Sequence, residues 1–139
     1  MEVNYTLVII ATIAQFALGA LWYSPLLFGK WWQDCMEMDC SALPPEEMKK
    51  LQKSMTPFYV LQLFLTFFTT ISFANLVSYI NAFNIYHIGF WIWIGFIVPV
   101  EISSVIWGST KKKYWCKQIF VMVANQFVNI MLVAWILSM

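Results

Sequence analysis

Apolar residues run almost unbroken through four stretches of this chain, and polar residues gather in the gaps between them or in narrow stripes within them. The four stretches cover about 3–23, 58–80, 85–107 and 115–137. A helix rises about 1.5 Å per residue and a bilayer's hydrocarbon core is about 30 Å thick, so some twenty residues suffice to cross it. The pattern predicts one all-α unit over 1–139, an integral membrane four-helix bundle. Ser24-Pro25 ends the first span, because proline disfavours a helical residue before it. Thr56-Pro57 is expected to open the second, as an N-cap followed by proline in the first helical position. The turn at 81–84 is short and implies a tight helical hairpin.

The one long connector, 25–54, reads as an ordered, interfacial helical segment between the first and second spans. Pro25 restarts a helix that would lay Leu26, Leu27, Phe28, Trp31 and Trp32 in the headgroup layer. Further on, Pro44-Pro45-Glu46-Glu47 begins a second short helix, with Lys49, Lys50 and Lys53 toward its end, an order that suits the helix dipole.

Composition sharpens this picture. Of 139 residues, 61% are hydrophobic and 11% charged, too few charges to cover a soluble domain, so lipid is the expected partner of most of the surface. All eight basic residues are lysine. Without arginine, phosphate and nucleic-acid recognition is not expected. The lysines are one-sided: Lys30, Lys49, Lys50 and Lys53 lie in the long connector, and Lys111, Lys112, Lys113 and Lys117 lie in or beside the connector after the third span. Positive charge marks the cytoplasmic side, which predicts a cell (inner) membrane protein with both termini outside. Trp22, Tyr23, Trp107, Tyr114 and Trp115 would form an aromatic belt at the inner boundary. The first span begins with an acid, not a base, and carries no small-x-small cleavage pattern, so it is read as a retained helix.

Polar stripes mark the spans at helical spacing. Thr12, Gln15 and Gly19 share a face of the first; Gln62, Thr66 and Thr69 share one of the second; Gln118, Asn125 and Asn129 share one of the fourth, with Gln126 beside them. These faces should meet each other or a lumen, and interhelical glue is the default reading. Glu101 is the one acid inside a span. A charge there costs at least about 2.5 kcal/mol, so lipid exposure is not expected. At helical spacing it shares a face with Ser104 and Gly108. Glu101 and Ser104 are therefore candidates for binding a proton or cation, with a buried structural carboxyl as the competing reading. Pro99 cannot donate to the Gly95 carbonyl, so Gly95 and Pro99 are a candidate hinge. Cys35, Cys40 and Cys116 fall on one predicted side, but their spacing is no recognised zinc pattern; reduced thiols are expected, and no metal or cofactor. His87 stands alone near the outer end of the third span, as an interfacial residue. No catalytic triad, phosphate loop or carboxylate pair can be assembled, so no enzyme is expected.

The segment Leu18-Gly19-Ala20-Leu21-Trp22-Tyr23-Ser24-Pro25-Leu26-Leu27-Phe28-Gly29-Lys30-x-Trp32 is distinctive. It resembles the opening signature of a family of small bacterial membrane proteins catalogued as domain of unknown function seventeen-sixty-one. Pro44-Pro45-Glu46-Glu47, Gly95-Phe96-Ile97-Val98-Pro99 and Ser103-Ser104 also look similar, and the match to the fourth span is looser. The resemblance implies four spans and carries no activity, and it assigns nothing to Glu101. The sequence favours an oligomeric proton, ion or small-solute pathway. The alternative is an accessory subunit of a larger membrane complex.

Overall fold

The computed structural model describes residues 2–37 and 43–139, and no strand occurs among them. α1 (Tyr5–Trp22) begins where the Asn4 side-chain carbonyl accepts from the Thr6 and Leu7 N–H groups, at 3.1 and 3.3 Å. This satisfies two of the donors that a helix start leaves unpaired. The signature segment then makes a tight corner. Ser24 Oγ donates to the Leu21 carbonyl at 2.6 Å and accepts from the Leu26 N–H at 3.3 Å. Phe28 N–H closes onto the Trp22 carbonyl at 3.0 Å, and Gly29 N–H onto that of Ser24 at 2.9 Å. A Cβ on Gly29 would lie 2.5 Å from the carbonyl oxygens of both Tyr23 and Ser24, so only glycine fits. The helix expected to restart at Pro25 therefore begins at Gly29: residues 24–28 are spent on the corner, and α2 is Gly29–Met36.

Trp22 does not join an interfacial belt. It is buried, stacks on Phe28 with ring centres 4.6 Å apart, and donates its indole N–H to the Val121 carbonyl at 3.1 Å. Trp107, by contrast, is among the most exposed residues of the chain, as a belt residue should be.

α3 (Pro45–Tyr79) is one continuous helix of 35 residues. It starts as expected, with Pro45 in its first turn and Glu46 and Glu47 beside it, where acids favour the helix dipole. The expected break at Thr56-Pro57 is absent. Thr56 caps nothing and donates back to the Gln52 carbonyl at 3.3 Å, while Pro57 sits inside the helix. Proline here removes one backbone bond, and the exposed setting lets another partner satisfy the freed carbonyl. At about 1.5 Å per residue α3 is roughly 50 Å long, well beyond the hydrocarbon core.

The third span, Ile85–Ile106, is capped by Asn84, whose side chain accepts from Tyr86 N–H at 2.9 Å. It comprises α4 (Ile85–Ile92), a π turn at Trp93–Ile97 and α5 (Val98–Ile106). Val98 N–H reaches five residues back to the Trp93 carbonyl. The widened turn stands immediately before Pro99, where an ordinary turn would press the proline ring on the Gly95 carbonyl. The candidate hinge is thus a π turn. Gly95 lies within it, and a Cβ there would meet open space. After a short connector, α6 (Trp115–Leu137) is the last span.

α6 is central. It packs against α1, α2, α4 and α5, while α3 leans mainly on α1. Two indoles clamp it: Trp22 from α1, and Trp93, which donates to the Val123 carbonyl at 3.0 Å. The end of the bundle without lysine is closed by a dry cluster of Ala11, Phe73, Val77, Ile88, Val133, Ala134 and Ile136. Toward the lysine-bearing end α3 diverges. From Pro45 to Leu65 it has no buried residue, and only Met48 and Leu51 are partly covered.

Candidate functional site

Because α3 leans mainly on α1, a cleft of about 350 Å³ opens between its Thr69–Leu76 stretch and the π turn, with α1 and α6 as its floor. Counting along α1 puts it near mid-membrane: Gln15 lies about 15 Å from the start of α1. Most of its wall is apolar, from Phe73, Leu76, Ile92, Phe96, Ile97, Ile130 and Val133. The polar members of the lining are Gln15, Thr69, Thr70, Ser72, Gln126 and Asn129, which show little of their polar surface to the cleft.

The polar groups are tied by name. Gln15 donates its amide N–H to Thr70 Oγ1, joining α1 to α3, and Thr70 passes its own hydroxyl to the Thr66 carbonyl at 2.7 Å. Asn129 Nδ2 donates to the Asn125 backbone carbonyl at 3.0 Å and to Asn125 Oδ1 at 2.7 Å. That backbone contact fixes which end of the Asn129 amide is nitrogen. Asn129 Oδ1, Asn125 Nδ2 and Gln118 Oε1 are then buried without a partner among the described residues. Glu101, half-buried on α5, accepts from Gln126 Nε2 at 3.5 Å, long for such a bond. Gln126 thereby stands between the carboxylate and the cleft.

The expected stripes are partly displaced. Gln118, Asn125 and Asn129 are buried along α6. On α3 the buried row is Thr66 and Thr70, continued by Phe73 and Val77; Gln62 and Thr69 are exposed on the isolated chain. Thr69 spends its hydroxyl on the Leu65 carbonyl at 2.6 Å, and Gln62 reaches only Thr66, at 3.4 Å. Ser104 stands apart from the Glu101 carboxylate. It is exposed, and its hydroxyl donates to the Glu101 backbone carbonyl at 2.8 Å. Gly108 lies past the end of α5, where a Cβ would come within 2.7 Å of the Ser104 carbonyl oxygen. Thr70 could have been found from the sequence by stepping four residues on from Thr66. Trp93 carried no signal, because indoles are everywhere in this chain.

At the lysine-bearing end α2 is latched to the start of α6. Glu37 pairs with Lys111 at 2.8 Å and Asp34 with Lys117 at 3.6 Å. Lys117 also lies 5.3 Å above the Trp31 ring. The Lys111 hydrogen bond holds the Glu37 carboxyl below the usual range, and the same contact raises Lys111. Cys35, which lies between Asp34 and Glu37 in the chain, is buried with its thiol against the Tyr114 carbonyl at 3.9 Å; burial pushes that thiol up. Cys116 is exposed, Cys40 lies outside the described residues, and no metal-binding group occurs among those described.

Four long apolar helices, α6 central among them, define a membrane-embedded helical bundle. The chain matches the family described as "Protein of unknown function (DUF1761)" over residues 6–138, nearly its whole length, and it belongs to that family. No curated protein and no solved structure matches it.

Proposed function

We propose that the protein is a non-enzymatic membrane pathway for protons, ions or a small solute, working as a homo-oligomer, with Glu101 as its titratable group. The observation that carries this reading is the Glu101–Gln126 contact, which joins an intramembrane carboxyl to the cleft. An acid at such depth is expensive, so a role that uses its proton gives it a reason to be there. The dry cluster at the lysine-free end favours a route between protomers, since one protomer is sealed there. In this reading the lysine-bearing end faces the cytoplasm and both termini face outward, in the cell membrane. An impermeant maleimide should then reach a cysteine placed at Ala82 from outside and one at Lys112 only from inside.

The decisive test is Glu101→Gln, which keeps shape and most hydrogen bonding but removes titration. In liposomes the variant should assemble normally and lose pH-dependent or cation-dependent flux. Wild-type liposomes with no flux of any tested ion would overturn the reading. A second reading, an accessory subunit, is favoured by the uncovered half of α3, where Gln62 is exposed within an apolar helix. Obligate co-purification with other membrane subunits, in place of a closed homo-oligomer, would select it.

A further inference from the structure

We infer that the cleft between α3 and the π turn is a binding site for a lipid-dissolved molecule that carries a hydroxyl on an apolar frame. The inference goes beyond the pathway reading and does not need Glu101 to transfer anything. Its volume, about 350 Å³, lies at the lower end of the range of small-molecule sites. The mouth is lateral. Its rims are Ser72 and Leu76 on α3 and Phe96 on the π turn, all exposed, Phe96 by 73%. In a membrane those rims face acyl chains, so a ligand enters from lipid and not from water.

The polar atoms set the chemistry. Gln15, Gln126 and Asn129 each turn an amide N–H onto a protein acceptor: Thr70, Glu101 and Asn125. Each keeps its carbonyl oxygen, and Gln15 and Gln126 each keep a second N–H as well. Asn129 also lines the cleft, but it is 91% buried and its unpartnered Oδ1 lies behind the cleft surface. Gln15 and Gln126, less buried, bring the amide groups of the same lining. An acyl chain could fill the apolar walls but would leave these amide groups unmet, and unmet polar groups are costly in hydrocarbon. A hydroxyl meets one of them, while the rest of the molecule lies against Phe73, Ile92 and Ile130. A carboxylate or phosphate would bring a full charge between apolar walls, with the Glu101 carboxylate behind Gln126, and is disfavoured.

Tritiated 4-octylphenol and its methyl ether, 4-octylanisole, are the probes, measured on the full chain in phosphatidylcholine nanodiscs. The phenol should bind saturably, one per protomer, and the ether roughly fivefold more weakly, the usual effect of one neutral hydrogen bond. Ser72→Trp fills the mouth from an exposed position and should abolish saturable binding while leaving helicity and oligomeric state intact. Gln15→Leu should narrow the gap between phenol and ether. Equal, unsaturable partition of both probes, saturable binding with no preference for the phenol, or phenol binding unchanged by Ser72→Trp would each overturn the inference. Ion flux is measured separately, so either reading can fail while the other stands.

Discussion

The two ends of this bundle are built on different principles. At the lysine-free end all four spans converge on branched and aromatic side chains, and Phe73 reaches across from α3 to the surface of Gly89 on α4. At the lysine-bearing end α3 has left, and α6 is held instead by specific bonds: two indole N–H donors, the signature corner and the α2 latch. Packing is non-directional and tolerates no gap, whereas a few directional bonds can hold a frame open. The cleft lies where the two meet: Phe73 and Val133 of the sealed cluster line it together with Gln15 and Gln126. Between helices in lipid, packing supplies most of the association, because apolar surface gains nothing by leaving hydrocarbon.

Mutations should affect the two ends differently. The largest effect is expected at the sealed end: Phe73→Ala should cost about 3 kcal/mol or more, as emptied aromatic sites do. Unfolding in mixed micelles measures it, and a negligible change would mean that the sealed cluster does not hold the spans together. Gly29→Ala should follow closely, at roughly 2–3 kcal/mol, because its new Cβ has two carbonyls to displace. Gln118→Leu should lie within about 1 kcal/mol of wild type and could stabilise, since it removes a buried oxygen without a partner. A large loss there would show that buried polar bonds, not the named clamps, hold the open end. The smallest effect concerns the latch, because both ion pairs are largely exposed and screened by salt. The lowered Glu37 group adds stability above the ordinary carboxyl pKa, and that share is lost as pH falls through its depressed value. Raised Lys111 adds stability below the ordinary lysine pKa, and that share is lost as pH rises through its raised value. With Cys40 and Cys116 replaced by serine, maleimide labelling of Cys35 at neutral pH should quicken severalfold in Lys111→Ala. An unchanged rate would show that the ion pair does not cover the thiol.

Much of the fold was legible in the sequence, because bilayer thickness turns hydropathy into length. The spans, the 81–84 hairpin and the Pro45 helix start are each set by local rules. What escaped was decided between helices. Thr56-Pro57 has the form of a helix start, but the preceding turns were already helical and one missing N–H was not enough to stop them. Trp22 has the position of a belt residue, but the Val121 carbonyl lay within reach of its indole. On α3, stepping by 3.6 residues left the choice between Thr69 and Thr70 to the neighbour, and Gln15 of α1 selected Thr70. On α6 the buried amides are spaced seven and four residues apart, so the pattern alone defined that face.

The bond from Trp22 to Val121 spans 99 residues of chain. A ribosome that has just delivered the signature corner to the translocon has yet to make the strand of polypeptide that completes it. Until the last span arrives, the indole N–H of Trp22 lacks its carbonyl and α2 lacks the lysines that latch it. The first helix must therefore wait, inserted but unclamped, through the synthesis of the two that follow. A chain interrupted before its final span would keep the corner's own bonds but leave the Trp22 indole and the acids Asp34 and Glu37 without these partners.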